Sequence, residues 1–429
     1  MTALEPARTL SAEETRTLGT ASQLGLWVNL GISLLLPVAA TYLVAPGVSL
    51  AWALIAVVVG ATIGSALLGL AAAAGARSGA PAMVLLRGLL GRRLSALPTV
   101  ANLLQCIGWA TFEVYIIADV AARLTGGPRW VFVLVAGVLA TAMALRPLGV
   151  VKVLSRYAVW LALASTVYLL VQVLRQPLPS FTAGGPGEFW TNVDLVVALP
   201  VSWVPLAADY SRHSRSARAS FVGAGVGYGT ATVGFFALGV LAVAGYGVEP
   251  GFGVISALLV LPAAGLAVLI LVVDELDEAF ANLYSTAVSA QNLRPGWDRR
   301  HLVVGVGVLA TALALGVNAY SYEPFLYLLG AVFVPLAGTL LVAFFVLRLP
   351  WDTGASAPSR SAMLIPWLAG FVAYEVVAPT ALTGWASWWT LAWTQVQTAL
   401  GVPSGWSASL VSLAVAAVLT VAVRPLVRR

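Results

Sequence analysis

Four carboxylates, Asp274, Glu275, Asp277 and Glu278, crowd into the stretch that follows the apolar run Gly265–Val273. Residues 272–292 read VVDELDEAFANLYSTAVSAQN, which continues a helix already deep in hydrocarbon. At about 100° per residue, Asp277, Ala281, Asp274, Ser285, Glu278, Ser289, Asn282 and Glu275 share one side. Leu276, Phe280, Leu283 and Ala287 share the other. A charge at the centre of a bilayer costs roughly 2.5–3.5 kcal/mol on insertion scales. The chain must therefore fold so that these acids face a wet, protein-lined cavity, or so that some of them stay protonated. That makes them a cation or proton site on a transport path. The plainer alternative is a helix end near the headgroups with a solvated acidic face.

The rest of the composition supports a membrane setting. Of 429 residues, 60% are hydrophobic and only 9% charged, a balance foreign to soluble domains. Apolar runs of about 20 residues recur along the whole length, which predicts an all-α polytopic membrane protein and not a β-barrel. The net charge of +6 sits in short loops between spans and gives no reason to expect nucleic acid. One cysteine, Cys106, and two histidines leave no disulfide framework and no zinc or haem site. No cofactor is expected. The N-terminus, with Glu5, Arg8, Glu13, Glu14 and Arg16, reads as a cytoplasmic tail and not as a cleavable signal.

Twelve spans are predicted, near 24–44, 50–74, 96–123, 129–145, 155–174, 192–211, 219–245, 262–290, 301–318, 325–347, 364–386 and 405–424. With both termini cytoplasmic, every one of the 23 basic residues except Arg123, Arg129 and Arg175 falls on the inner side. That skew is the positive-inside rule, and the expected location is the cell membrane. The longest loops are Gln176–Gly187 and Gly247–Leu261 on one side and Asp352–Ser361 on the other.

Two spans carry interruptions. The first reads LGLWVNLGISLLLP, with Asn29 and Gly31 in mid-span and Pro37 after them. The sixth reads ALPVSWVPLAADYSRH, with Pro200 and Pro205 around Val201–Val204. Proline removes a helix hydrogen bond and clashes with the preceding turn. Irregular backbone at membrane depth is tolerated where it lines a cavity. Paired interruptions five spans apart, in helices of opposite direction, point to inverted repeats around a central site; ordinary proline kinks are the alternative. The organisation is then a tail (1–23), a first repeat (24–174), a second repeat (192–347), a C-terminal pair (362–424) and a tail (425–429).

Span three is the second polar anomaly. Gln105, Trp109 and Glu113 recur every four residues and form one stripe. An indole beside an amide is a platform for a flat heterocycle, by stacking on one and hydrogen bonding to the other; the alternative is helix–helix packing. Glu113 and Asp119 are candidates to pair with arginines or polar groups of neighbouring helices. The basic loop after span two, RSGAPAMVLLRGLLGRR, lacks the GK[ST] of a phosphate-binding loop and reads as a connection. Asp209, Arg212 and His213 form a cytoplasmic cluster that anchors a helix end. Glu375 reads as structurally paired, and Trp385, Trp388, Trp389 and Trp393 as interfacial belt.

Taken together, Trp27-x-Asn29-x-Gly31, the loop Arg77-x-Gly79-x-Pro81-x-Met83-Val84 with Arg87 and Gly91, LLQxxGW in span three, DYSRH after span six and F-x-N-x-YS in span eight resemble the nucleobase:cation symporter family, the purine–cytosine permeases. The resemblance covers Leu24–Leu347. It implies a five-plus-five inverted-repeat fold, as in the sodium-coupled leucine transporter, with two further C-terminal helices. It implies a substrate site between spans one, three, six and eight. Gln105 and Trp109 would bind and stack the base. Ser202 and Trp203 would give a hydroxyl or backbone contact and a second aromatic wall, with Asn282 and Asn29 as further polar contacts. A sodium ion would sit near Trp27, Asn29 and Asp277. Where sodium-coupled members carry hydroxyls in span eight, this chain has Asp277 and Glu278. With Asp274 and Glu113 they are the coupling candidates, and a carboxylate that either ligates sodium or carries the proton tips the balance to protons.

The expectation is a monomeric secondary transporter that imports a flat N-heterocycle (cytosine, purine, hydantoin, hydroxymethylpyrimidine or allantoin class) with H+ or Na+. The alternatives are a transporter of the same fold for an amino acid or other small solute, and a membrane-embedded enzyme using the acids as general acid and base. The chain has no HExxH motif and no soluble catalytic module.

Overall fold

A computed structural model describes residues 16–146, 159–403 and 405–427. Most of the expected N-terminal tail with Arg8, the connection carrying Lys152 and Arg156, and Arg428 and Arg429 lie outside the described residues. The described residues form helices joined by short loops, with two isolated bridges, Leu18 to Ser214 and Val48 to Gly185. Helices are what lipid permits, because every backbone group must be satisfied within its own segment.

Five helices are long and apolar enough to cross a bilayer: Leu50–Ser78, Ala96–Thr125, Ala217–Tyr246, Arg299–Gly316 and Ala319–Val346. The acid-bearing helix is as long, running unbroken over Ala264–Leu293, but its charges set it apart. Shorter apolar helices cover Arg129–Ala144, Val159–Leu174, Phe189–Ser202, Ser361–Val377 and Ala408–Ala422.

Both expected interruptions are present. Span one is a helix over Thr20–Asn29, a turn, a second helix over Leu35–Ala40 and a tighter turn over Thr41–Leu43. Pro37 falls in the first turn of the second piece, where its missing N–H costs nothing. Span six is a helix over Phe189–Ser202, turns through Trp203–Leu206 and a short helix over Ala207–Ser211. A third irregularity was not legible: span seven opens into a wider turn over Val222–Tyr228, which packs against the first helix of span one.

Small residues set the packing. A Cβ on Gly60 would lie 2.7 Å from the Val193 carbonyl oxygen, and one on Gly64 would lie 2.9 Å from that of Val197. This Gly-x-x-x-Gly spacing lets span two touch the backbone of span six, as close helix pairs in membranes do. Span eight packs along span three, so the two 30-residue helices bring their polar middles together.

The C-terminal region differs from expectation. The helix of span eleven ends at Val377 and does not run to residue 386. A separate helix, Ser387–Leu400, follows, with none of its residues buried. The tryptophans read as a belt lie in or beside it, and Trp389 donates its indole N–H to Glu375 at 3.2 Å. The connection Gly247–Leu261 also contains a short helix, Gly253–Leu259. The segment Asp352–Ser361 is tied down on the basic loop after span two. Trp351 donates to the Leu85 carbonyl at 3.0 Å, and the Arg92 amide donates to the Ala357 carbonyl at 3.0 Å.

Candidate functional site

The interruption in span one is held open by span eight. Breaking the helix leaves the amides at Leu34 and beyond without helical partners. Glu275 supplies the acceptor: its carboxylate takes a hydrogen bond from the Leu34 amide at 2.8 Å and from the Ser33 hydroxyl at 2.7 Å. One turn earlier in span one, the Asn29 amide group donates to Asp277. Two of the four crowded acids thus dock the broken helix.

Asp274, on the same helix, and Glu113, on span three, receive no such support among the described residues. Glu113, near the middle of span three, is fully buried, and neither of its oxygens accepts a hydrogen bond from an amide, hydroxyl or basic group among the described residues. The arginine partner that sequence allowed is not beside it. Its polar neighbours are Glu275 and Glu278, and one oxygen from each of the three lies within 4.8 Å of the others. Asp274 is 3% exposed and likewise lacks a donor at both oxygens. Three carboxyls at this spacing, with no basic side chain among them, cannot all be ionised unless a cation joins them. Asp119, in contrast, pairs with Arg123 one turn on at 2.7 Å.

Beside the carboxyls lies a narrow cleft lined by Leu36, Trp109, Ser202, Trp203, Tyr228, Glu278 and Asn282, among others. Its free volume is about 10 Å³, room for about one water. Trp109 is clamped edge-to-face against Phe325 at 5.3 Å and Tyr322 at 6.2 Å. Trp203 stands against Trp27 and Tyr228, each at 6.0 Å between ring centres.

Gln105 is set behind this wall. Its amide nitrogen donates to the Ser202 carbonyl and to Asn102 Oδ1, both at 2.8 Å. Asn102 in turn donates to Ser289 at 2.8 Å. The interruption in span six is thereby latched to span three and, through Asn102, to span eight. The Ser202 hydroxyl donates back to Leu199. Trp27 spends its indole N–H on Gln23 at 3.0 Å.

The sequence-derived candidates therefore divide. Trp109, Ser202, Trp203, Glu278 and Asn282 share one cleft, with Gln105 directly behind it. Asn29 and Asp277 pair at the break in span one. Trp27 stands behind Trp203 in the aromatic wall, and Asp274 lies outside the cleft lining. The candidate sodium position near Trp27, Asn29 and Asp277 offers two oxygens without partners, Asn29 Oδ1 and Asp277 Oδ1. These suit a hard cation, although the Trp27 ring itself offers none. Sequence reasoning missed the capping by Glu275, the Asn102 relay, Ser33 and Tyr228. Asn102 alone left a signal, as a polar residue three before Gln105 on the same helix.

At one end of the molecule, span eight is also tied to the loop after span two. Arg87, 7% exposed, donates to Asn292 at 2.7 Å, and Asn292 donates to Thr99 at 2.9 Å. Burial, with Arg92 nearby, lowers Arg87 to about 10, so it stays charged near neutral pH. Asp209 accepts from the Ala82 amide at 2.8 Å.

Two interrupted helices meeting two continuous ones around a closed polar cleft make this a membrane transporter of the inverted-repeat class. The chain belongs to the family described as permease for cytosine/purines, uracil, thiamine, allantoin, whose sequence model matches residues 11–351. The match ends where the last two spans begin. The fold is similar to that of Mhp1, a nucleobase-cation-symport-1 family transporter, in a closed conformation with bromovinylhydantoin bound. That likeness has a TM-score of 0.74 at 18% identity, covering 98% of this chain and 95% of the other. An inward-facing conformation of Mhp1 gives 0.70 at 19% identity, covering 100% and 95%. A Na+-coupled sialic acid symporter in a substrate-bound outward-open state gives 0.64 at 12% identity, covering 96% and 90%. No curated protein sequence matches the chain. Family and fold are those of transporters, not of enzymes.

Proposed function

We propose that this protein imports a nucleobase or a related flat N-heterocycle, of the cytosine, purine, hydroxymethylpyrimidine or allantoin class, in symport with a cation, and that the cation is a proton. The carboxyl group of three, Glu113, Glu275 and Glu278, carries the reading. It joins spans three and eight to the break in span one, and Glu278 also borders the cleft. A proton arriving there changes the charge balance at the hinge and the substrate wall together. Asp277 and Asp274 extend the same acidic region, and Asn29 and Asp277 mark where a sodium ion would bind if the coupling ion were sodium.

The cleft is too small for a base as it stands, which suits a closed state between two open ones. Alternating access then requires spans one and six, with their interruptions, to move against spans three and eight. The repeats run over 24–174 and 192–347, the termini face the cytoplasm, and the protein works as a monomer in the cell membrane. Trp109 and Trp203 wall the base, and Gln105 holds the span-six break in register.

Purified protein in liposomes tests this. Uptake of labelled cytosine or a purine should follow an imposed inward proton gradient, and Trp109→Ala and Gln105→Ala should lose it while inserting normally. Uptake driven by sodium alone overturns the proton assignment. Uptake of amino acids, with no response to any base, overturns the substrate assignment.

A further inference from the structure

The amide groups at the cleft are not free to turn, and this limits which edge of a heterocycle they can meet. Asn282 is 2% exposed and borders the cleft. Its nitrogen donates to the Glu278 backbone carbonyl at 3.1 Å. A carbonyl can only accept, so the orientation of the amide is fixed and Oδ1 is the atom left over. No donor among the described residues reaches it. Glu278, one turn earlier on the same face, leaves Oε1 without a donor as well. The Ser202 hydroxyl spends its proton on Leu199 and so can offer the cleft only a lone pair. Behind it, Gln105 is fixed in the same manner by the Ser202 carbonyl, again leaving its oxygen over. The polar atoms that spans eight and six turn to the cleft are therefore acceptors in excess. On the other walls the Trp203 indole N–H is engaged with the Tyr228 hydroxyl, and Trp109 carries a further indole N–H.

Resting on the nucleobase reading above, we propose that the site selects heterocycles presenting a donor edge, an exocyclic amine beside the ring as in an aminopyrimidine or aminopurine, over their oxo counterparts, and that Asn282 and Glu278 are the residues that choose. An amine places N–H groups against acceptors that are otherwise buried and bare. An oxo group in the same place sets lone pair against lone pair, and a buried mismatch of this kind discriminates far more strongly than a change in size.

Cytosine against uracil and adenine against hypoxanthine are the probes, because within each pair an exocyclic amine beside a bare ring nitrogen is exchanged for an oxo group beside a ring N–H. Binding to the full-length protein in detergent is followed by tryptophan fluorescence and by thermal shift. The amino member of each pair should bind about tenfold or more tightly than the oxo member. Glu278→Gln, whose amide can turn to donate, should bring the two members of each pair together, and Asn282→Asp should keep the preference. Equal or tighter binding of uracil and hypoxanthine by the wild-type protein overturns the inference and leaves the nucleobase reading standing. If none of the four compounds binds, the nucleobase reading falls with it.

Discussion

The buried carboxylates of this molecule fall into two sets, and the difference lies in who donates to them. Asp194, Asp209, Glu275 and Glu375 each hold a main-chain amide. Asp194 is the fullest case: it accepts from the Ser407 hydroxyl at 2.6 Å, the Ala408 amide at 2.7 Å and the Ser409 amide at 3.1 Å. It thereby caps the last spanning helix from within span six. Glu375 accepts from the Thr380 amide at 3.0 Å, the Thr380 hydroxyl at 2.8 Å and Trp389. Such groups replace the water a helix end would otherwise need. Glu113 and Asp274 are as deeply buried and have no amide or hydroxyl donor among the described residues. A group kept bare in the interior is costly, and under the proposed symport a cation or proton that comes and goes would offset that cost. Glu275 belongs to both sets, since it caps the break in span one and faces Glu113 and Glu278.

The sharpest way to break this comparison is to neutralise one acid of each kind. Glu113→Gln removes a carboxyl that holds nothing up. Gradient-driven uptake should be lost entirely, while exchange of base across the membrane without a gradient persists and the melting temperature hardly moves. A large drop in melting temperature would put Glu113 among the structural acids. Asp194→Ala should do the reverse. Two buried amides and a hydroxyl lose their acceptor at the start of Ala408–Ala422, a loss worth about 3 kcal/mol, read as a lower unfolding temperature in detergent. Coupling in the surviving folded protein should be intact. If the Asp194 variant folds well but uncouples, the division between capping and exchanging acids is wrong.

Much of the fold was legible because its causes are local. Asparagine and glycine in the middle of span one and the paired prolines of span six marked backbone that is broken there, whereas Pro335 sits inside a continuous helix. The family was legible from short motifs, weak one by one, whose order spans 24–347 against a family match of 11–351. The donors were not legible. Ser33 and Glu275 are 242 residues apart, and Asp194 and Ser407 are 213 apart. A helical wheel states which residues share a side, and it is silent on what lies opposite. It therefore grouped Glu275 with Asp274 and Glu278 and could not reveal that one of them caps a helix. The helix over Ser387–Leu400 was missed for a related reason. Its tryptophans suit a membrane interface, and the bond from Trp389 to Glu375 depends on a neighbouring span.

The smallest effect concerns a titratable group outside the spans, one that an experimenter would first suspect of sensing pH. His213 follows the short helix Ala207–Ser211, and burial, with Arg212 beside it, lowers it to about 4. Its ordinary value is about 6.5. The folded protein thus keeps His213 neutral through the range where an unfolded chain would protonate it. Its neutral state costs nothing above about pH 6.5, and stability is lost progressively as pH falls from there toward 4. His213→Gln should therefore raise stability near pH 5, by at most about 2 kcal/mol, and leave it nearly unchanged at pH 7. Between about pH 6 and 8, where an ordinary histidine switches charge, the uptake profiles of the variant and the wild type should superimpose. A profile that flattens in His213→Gln would mean that the proton is sensed at the end of span six and not at Glu113, Glu275 and Glu278, and the bare carboxyls would need another explanation.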